Sequence, residues 1–243
     1  MDLTPLLFHF PGSAPIHCLV PLRALPAKSR FSGNLSYDVN DKREDVLERR
    51  NALLSFAAPF NLKKIIDIHQ VHGSTILFDP KDNQIPSFEG DGIATQEKGL
   101  GLFIKTADCQ AILIASEDPL AIMAIHVGWR ANRCNFIGKA IEEFCTHYAL
   151  SPSRLFALRT PSLSPQNAEF IHFEEEWGSD FLSFFSPSTQ TMDLWALSRF
   201  QLLEAGLQKE RIFSLDLCTK SNPSCFSYRR KDAGRLGGII WIG

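Results

Sequence analysis

The sequence lacks an excess of charge of either sign, and it also lacks long apolar runs. Its 25 Lys and Arg residues nearly balance 27 Asp and Glu residues, which gives a formal net charge of −2. A nucleic-acid-binding domain usually carries a basic stripe, so we expect no nucleic-acid partner. No apolar run approaches the ~20 residues of a membrane-spanning helix, and the N-terminus lacks the basic segment of a secretory signal. We therefore expect a cytoplasmic protein with no membrane partner.

The six cysteines lack the spacing of the common paired motifs. No two of them are separated by two residues, which excludes a zinc ribbon and a thioredoxin-type motif. Without a secretory signal, reduced thiols are expected rather than a disulfide framework. The cysteines stand at positions 18, 109, 134, 145, 218 and 225.

Internal repeats, low-complexity segments and linkers are also absent from the sequence. The composition, with 44% hydrophobic residues, is typical of a globular protein, and we expect one domain over residues 1–243. Strand and helix patterns mix without strict βαβ alternation, which favours an α+β (mixed α/β) fold with a mixed, largely antiparallel sheet flanked by helices. Three helices are predicted: from a cap at Asn40 or Asp41 to Phe56, from Gly128 to Tyr148, and from a cap at Asp193 to Gly206. The predicted strands include 1–10, 16–22, 63–68, 100–106, 111–115, 120–127 and 239–242, and 80–89 is a predicted loop.

The sequence does contain three short signatures, each at the end of a predicted strand. They are His-Gln-Val-His-Gly at 69–73, Thr-Ala-Asp-Cys-Gln at 106–110 and His-Val-Gly-Trp-Arg at 126–130. A hairpin that turns at residues 117–119 would bring His126 back toward Cys109. We predict that His72, Cys109 and His126 bind one Zn²⁺ ion and leave its fourth position open, as in catalytic zinc sites.

Other interpretations of the same residues stay open. A lone His at a strand end is usually an ordinary core or surface residue, and a lone Cys is usually a small buried hydrophobe. A Cys109 nucleophile with His126 or His72 as its base would use the same side chains without a metal. Asp108 can orient one of the ligands, as carboxylates do for metal-bound His, or it can simply form a turn.

Four arginines are candidates for binding phosphate or carboxylate. Arg229, Arg230 and Arg235 lie close together near the C-terminus, and Arg130 ends the third signature. Arg holds such anions in a bidentate manner, although a solvated charged face is the commoner use of a basic run. The alternation at 226–228 predicts a strand, which places Arg229 and Arg230 on opposite faces, so only one of that pair should reach a given pocket.

These signatures, with four further motifs, resemble the purine nucleoside phosphorylase family, formerly called the laccase-domain or multicopper polyphenol oxidase family. The further motifs are Gly90–Thr95, Cys218–Thr219, Phe226–Arg230 and Gly234–Arg235. The resemblance implies a fold related to a bacterial deamidating toxin, the toxin-type cysteine hydrolase fold. It also implies Zn²⁺ on His72, Cys109 and His126. Cu²⁺ is an expected competitor, because copper binds N and S ligands tightly.

The chemistry implied by the resemblance is phosphorolysis of adenosine, inosine, guanosine and methylthioadenosine, together with deamination of adenosine. The partners would be nucleoside and phosphate, in a monomer or homodimer. We expect Cys109, Asp108 and His126 to be catalytic and the four arginines to bind substrate or phosphate. Some family members are instead peptidoglycan-editing hydrolases of a muropeptide precursor, and others are claimed as copper-dependent polyphenol oxidases. A non-catalytic binding protein with a structural zinc is a further alternative.

Two departures from the family pattern bear on the site. The segment after Arg23 lacks the pair of glycines that is usual there, in a turn that can contact phosphate or ribose. Ala131 stands where Gly is usual, and Val127 stands where Ala is usual. We expect the metal site to tolerate the substitutions at 127 and 131, whereas the missing glycine pair bears on substrate preference.

Overall fold

The computed structural model describes residues 2–12, 14–81 and 88–243. Its helices are α1 (Arg43–Ala57), α2 (Trp129–Arg133), α3 (Phe136–Tyr148), α4 (Phe173–Glu176) and α5 (Leu194–Glu204). Its strands are β1 (Leu3–His9), β2 (Ile16–Arg23), β3 (Lys64–Ile66), β4 (Ile76–Phe78), β5 (Gly92–Thr95), β6 (Leu100–Thr106), β7 (Gln110–Glu117), β8 (Leu120–Val127), β9 (Phe156–Arg159), β10 (Phe185–Ser186), β11 (Thr191–Met192), β12 (Ile212–Ser214) and β13 (Leu236–Ile242). Most of the predicted loop at 80–89 lies outside the described residues.

The strands form two large sheets, so the prediction of one sheet was wrong. Five strands follow the order β1-β2-β13-β6-β3, six follow β12-β9-β7-β8-β5-β4, and β10 pairs with β11. Within the two large sheets only the pairs β3–β6, β4–β5 and β9–β12 are parallel, which confirms the largely antiparallel pairing. The physical reason for two sheets is that β6, β7, β8 and β13 are buried almost throughout. A strand that is apolar on both faces needs a covering layer on each side.

Alternate residues of these strands contribute to different cores. Leu102, Leu113 and Ala124 lie in the core between the two sheets. On the outer face of the six-stranded sheet, Ile112 and its neighbours pack against α3, whereas the outer face of the five-stranded sheet packs against α1. The order of layers is therefore helix, sheet, sheet, helix, and the α+β class is confirmed.

The helix predicted from Gly128 to Tyr148 is divided into α2 and α3. Asn135 has a left-handed conformation with φ of 51°, and its side chain accepts a hydrogen bond from the Gly138 amide. An Asn in this position ends one helical run and caps the next.

The two predicted helix caps have different outcomes. Asp193 accepts a hydrogen bond from the Ala196 amide and caps α5, as predicted. The cap predicted at Asn40 or Asp41 was wrong, because α1 begins after Lys42 without a side-chain cap. The Asp41 carboxylate instead pairs with Arg49 at 2.7 Å. Asp41 therefore forms an ion pair with a residue inside α1 and does not cap the helix.

None of the helices in the described part of the chain combines the length and apolar character needed to cross a bilayer.

Candidate metal centre

The three sequence signatures meet at one point. The ligating atoms of His72, Cys109 and His126 all lie within 4.8 Å of one another. The β7–β8 hairpin is responsible for half of this convergence, because Ala111 stands opposite His126 and so places that imidazole beside Cys109. The loop after β3 supplies His72, whose ring meets that of His126 edge to face at 4.7 Å.

Asp91 braces this cluster from behind, a role that the sequence did not reveal. One carboxylate oxygen lies 2.6 Å from His126 Nδ1, and both side chains are buried. The same carboxylate accepts backbone hydrogen bonds from Val71, His72 and Gly73 at 3.3, 3.1 and 2.6 Å. Asp91 therefore fixes the imidazole of one candidate ligand and the loop that carries the other. The only available signal was its place in the Gly90–Thr95 motif.

The ionisable groups at the centre shift one another's pKa values toward their charged forms. Burial is the largest influence on Asp91 and raises its pKa, but bonds from His126 and the loop amides outweigh it, so the net shift is downward. Burial favours neutral His126, yet Cys109 and Asp91 raise its pKa overall. Burial also opposes ionisation of Cys109, and the two imidazoles outweigh that opposition and lower its pKa. The centre thus favours a thiolate, which is the form of Cys that binds metals and attacks carbonyls.

Gly128 in the third signature lies close to two of the candidate ligands. A Cβ at this position would lie 3.2 Å from Cys109 Sγ and 3.3 Å from His72 Cδ2. Those contacts are tighter than ordinary van der Waals distances. A side chain here would push two of the candidate ligands apart.

The donor set fits a metal ion. One sulfur and two imidazole nitrogens are ligands that Zn²⁺ and Cu²⁺ both accept. At the usual Zn–N and Zn–S lengths, tetrahedral ligand atoms stand about 3.5 Å apart, so the three side chains need only small rotations to close on an ion. Because Asp91 engages Nδ1 of His126, the ring's other nitrogen is left for the ion.

The cluster opens into a large cleft of about 1070 Å³. Trp129, Phe170 and Tyr228 form an aromatic wall, and Tyr228 is 71% exposed at its edge. Polar residues of the segment 36–39 and of the turn 231–235 contribute to the lining as well. The cleft therefore offers both aromatic and polar lining residues beside one candidate metal centre.

Three of the four candidate arginines line this cleft. The guanidinium of Arg130 lies 4.3 Å from the centre of the Trp129 ring. Arg229 donates to the Glu169 carbonyl at 2.7 Å and lies 5.7 Å from the centre of the Phe170 ring. Arg235 lines the cleft as well.

Arg230 is turned away from the cleft, contrary to our expectation for it. Its guanidinium donates to the Thr219 and Lys220 carbonyls at 2.9 and 2.6 Å and pairs with Asp232 at 2.6 Å. The strand predicted at 226–228 was also wrong, because the segment is a series of turns. Asp232 accepts from the Ser227 amide and closes these turns. Nevertheless, only Arg229 of the pair reaches the cleft.

The sequence allowed the interpretation that Asp108 orients a ligand, but the contacts of Asp108 are with the C-terminal turns instead. Asp108 has a left-handed φ of 86°, and its carboxylate accepts from Thr219 Oγ1 at 2.6 Å and from the Arg229 amide at 2.7 Å. Asp108 thus ties the C-terminal turns to the residue before Cys109. Among the described residues, the ligand-orienting carboxylate is Asp91 instead.

Comparison with known proteins places these features in a family. The family profile described as multi-copper polyphenol oxidoreductase laccase matches residues 26–243. A purine nucleoside phosphorylase of Xylella fastidiosa is 31% identical over 191 residues, which cover 72% of this chain and 71% of that protein. Another protein of that name from Corynebacterium glutamicum is 29% identical, over 96% of each chain.

Solved structures show the same fold. A Neisseria meningitidis protein superposes with a TM-score of 0.81 at 19% identity, covering 100% of this chain and 99% of its own. The protein YlmD from Geobacillus stearothermophilus superposes with a TM-score of 0.77 at 23% identity, covering 93% and 92%.

Proposed function

This chain belongs to the multi-copper polyphenol oxidoreductase laccase family, and we propose that it is a metal-dependent purine nucleoside phosphorylase. The observation that carries the proposal is the opening of the His72–Cys109–His126 cluster into a cleft with both an aromatic and a cationic lining. The names of the similar Xylella and Corynebacterium proteins point the same way. We assign Zn²⁺ to the cluster, and Cu²⁺ uptake alone would not argue for an oxidase, since copper binds such sites tightly in any case.

The residues of the centre would hold the ion and keep its open side toward the cleft. Zn²⁺ bound in this way supplies a Lewis acid that polarises a substrate oxygen. Asp91 fixes the tautomer of His126 through Nδ1, and this kind of brace sets both the orientation and the basicity of a metal-bound imidazole. Cys109 and His126 are the catalytic residues of the proposal, because they would contact the reacting groups through the ion.

The aromatic wall would bind the purine. Trp129, Phe170 and Tyr228 line the cleft, where Tyr228 is exposed and Trp129 is half-buried. Stacking of a base on an aromatic ring contributes about 1–3 kcal/mol per base. This contact is tolerant of the substituents at the purine 6-position. A broad range of nucleosides, including adenosine, inosine, guanosine and methylthioadenosine, is therefore expected.

Arg130 and Arg229 would bind the phosphate. Both guanidinium groups lean on the aromatic wall, and Asp108 holds the backbone of Arg229 through its amide. A phosphate oxygen attacks C1′ of the ribose, and the C1′–N9 bond breaks with its electron pair moving to the base. The contribution of the arginines is to position the anion and stabilise the developing charge.

Deamination of adenosine at the same centre is a further part of the proposal. Zinc deaminases use a His and Cys ligand set of this type to direct water at the purine ring. The ligand cluster supports this activity, whereas phosphorolysis is supported by the cleft lining as well.

A second candidate function follows from a different observation. Cys109, His126 and Asp91 form a chain of nucleophile, base and orienting carboxylate, which is the arrangement of a cysteine hydrolase. Without a metal, this trio would serve a peptidoglycan-editing hydrolase that cleaves an amide, and a relation to the toxin-type cysteine hydrolases would fit it.

The experiment incubates purified, metal-analysed protein with each nucleoside, with and without phosphate, and with a muropeptide precursor. Phosphate-dependent release of base and ribose 1-phosphate supports the phosphorylase. Cleavage of the muropeptide without nucleoside turnover favours the hydrolase, and phenol oxidation that depends on added copper favours an oxidase. No activity, with unfolding on chelation, indicates a structural zinc.

Matched variants connect the activity with the centre. Cys109→Ala is expected to abolish turnover, whereas Cys134→Ala removes an exposed thiol that does not line the cleft and should behave as wild type. Full nucleoside turnover by Cys109→Ala would overturn the proposed role of the centre. Size-exclusion chromatography with light scattering would decide between the monomer and the homodimer.

A further inference from the structure

The cleft carries more positive charge than the proposed reaction uses. Arg130, Arg229, Lys231 and Arg235 line it, and none of them has an ion pair with a carboxylate among the described residues. A nucleoside is neutral, and one phosphate brings a charge of about −1.5 to −2 at neutral pH. A single phosphate at Arg130 and Arg229 therefore leaves the other two cations without a partner.

The carboxylates of the cleft neutralise only part of this excess, because one of them at most, Asp108, offsets the charge of these four cations. Asp38 pairs with the buried Lys105, and Asp232 pairs with Arg230 outside the lining. Asp108 accepts hydrogen bonds from a hydroxyl and a backbone amide, as described above. Of the three acidic side chains on the cleft surface, two already have cationic partners.

The cations fall into two groups on different supports. Arg130 and Arg229 lie against the aromatic wall, over Trp129 and Phe170 respectively. Arg235 is held by the segment 34–36 instead, since its amide donates to Asn34 Oδ1 at 2.9 Å and its carbonyl accepts from the Leu35 amide at 3.0 Å.

The support of Arg235 is rigid. Asn34 and Leu35 are completely buried, and Arg50 clamps the segment from α1 by donating twice to the Leu35 carbonyl. The Arg235 guanidinium donates a hydrogen bond to the neighbouring Gly234 carbonyl at 2.8 Å. A guanidinium on a firmly held backbone, with further N–H donors beside this bond, is a suitable partner for a phosphate group.

The size of the cleft also exceeds the needs of the proposed substrates. A purine nucleoside and one phosphate ion together occupy roughly 400 Å³ at protein packing density, compared with about 1070 Å³ available. With the base on the aromatic wall, the end of the nucleoside farthest from the base is the 5′ carbon of the ribose. A substituent at that carbon is the part of a ligand that extends farthest from the base, toward lining residues outside the aromatic wall.

We propose that Arg235 and Lys231 form a second anion site, which accepts the 5′-phosphate of a purine nucleoside monophosphate. The inference rests on the proposed function, because the aromatic wall must hold the base. The extended reaction uses the same bond changes: a phosphate oxygen attacks C1′, the C1′–N9 bond breaks, and its electron pair moves to the base, which is then protonated. The products are the free base and ribose 1,5-bisphosphate.

Binding and turnover are measured with inosine 5′-monophosphate and inosine on the metal-loaded protein. Wild type should bind the monophosphate about ten-fold or more tightly than inosine, since a charge-assisted hydrogen bond to phosphate has that magnitude. Arg235→Gln should remove most of this preference and change the Kd for inosine much less. Arg235→Lys, which keeps the charge, should retain part of it.

Three controls make the outcome decisive. Arg154→Gln changes an exposed arginine outside the cleft and should leave both Kd values as in wild type. Lys231→Gln, at an exposed position, tests the same site if Arg235→Gln does not fold. Competition with inorganic phosphate shows whether the monophosphate merely occupies the co-substrate site.

The inference is overturned if wild type binds the two ligands equally. It is also overturned if the preference is lost in Arg130→Gln but kept in Arg235→Gln, because the 5′-phosphate would then sit at the co-substrate site. Phosphorolysis of inosine without binding of the monophosphate would leave the proposed function standing and remove only the second site. Binding of the monophosphate without any turnover would support the second anion site and contradict the proposed phosphorylase activity.

Discussion

The floor and the rim of the cleft are built in different ways. The floor holds His126 and Asp91, which are buried at the ends of central strands and joined by a short hydrogen bond. The rim carries Arg229 and Tyr228, which are exposed on a series of turns. A rigid floor suits a centre whose ligand distances matter, whereas a rim of exposed side chains suits substrates of varied shape.

The replacement Asp91→Asn should have the largest effect, because it weakens the brace of the whole floor. The amide cannot match a carboxylate that serves His126 and three backbone amides. We expect metal affinity to fall about 10–100-fold, with a corresponding loss of nucleoside phosphorolysis. Competition titration with a chelator measures the affinity, and circular dichroism checks the fold. Unchanged affinity would show that Asp91 does not brace the centre.

Asp67→Asn tests the support behind the floor. Asp67 bonds to Arg50 at 2.6 Å and to Lys105 at 2.8 Å. Burial is the largest influence on its pKa and raises it, but these two cations outweigh burial and the net pKa is lowered. The variant should lose roughly 3 kcal/mol of unfolding free energy at neutral pH.

The pH dependence of that loss has a definite sign. A carboxylate with a lowered folded-state pKa contributes its stability above the unfolded value of about 3.9, and loses it as pH falls through the folded value. The difference between wild type and Asp67→Asn should therefore be constant above about pH 5 and shrink below about pH 4. Urea denaturation across this range measures it, and an equal difference at both ends would contradict the assignment.

Variants of two neighbouring arginines test the substrate-binding role of the rim and the stability of its turns separately. Arg230→Gln removes bonds to several backbone carbonyls and to Asp232, and should lower stability by about 2 kcal/mol. Arg229→Gln should instead raise the KM for phosphate about ten-fold, with little change in Tm, since its side chain is exposed. Thermal denaturation and steady-state kinetics on both variants make the comparison. Reversed effects would mean that the two residues had been assigned the wrong roles.

The smallest effect is expected for Gly128→Ala. The new Cβ would meet Cys109 Sγ and His72 Cδ2 at 3.2 and 3.3 Å, so the two ligands must move by a few tenths of an ångström. Metal affinity should fall a few-fold, equivalent to about 1 kcal/mol, while Tm changes little. The same chelator titration detects this. A variant with wild-type affinity would show that the centre has more room than the distances indicate.

The sequence predicted the floor better than the rim. Two candidate ligands stand at strand ends, and the β7–β8 hairpin has the register that brings His126 to Cys109. Strand periodicity and a short turn are local signals, so they could be read directly. The brace by Asp91 was missed because it depends on a contact between residues 35 positions apart, for which the sequence offers only a Gly-Asp-Gly motif.

The secondary structure of the rim was predicted wrongly, again because the sequence pattern did not reveal a side-chain hydrogen bond. Alternation of Phe226, Ser227 and Tyr228 indicated a strand, but Asp232 captures the Ser227 amide and folds the segment into turns. Local sequence patterns also could not predict the number of sheets. Strands that are apolar on both faces show that they are covered, although they do not show whether by helices or by a second sheet.

The central claim is that His72, Cys109 and His126 hold one metal ion. Its most direct test is the metal content of wild type, Cys109→Ala and Cys134→Ala, prepared side by side and analysed by inductively coupled plasma mass spectrometry. We predict about one ion per chain in wild type and in Cys134→Ala, and only traces in a folded Cys109→Ala. Equal metal content in all three proteins, or none in wild type supplied with zinc, would contradict the claim.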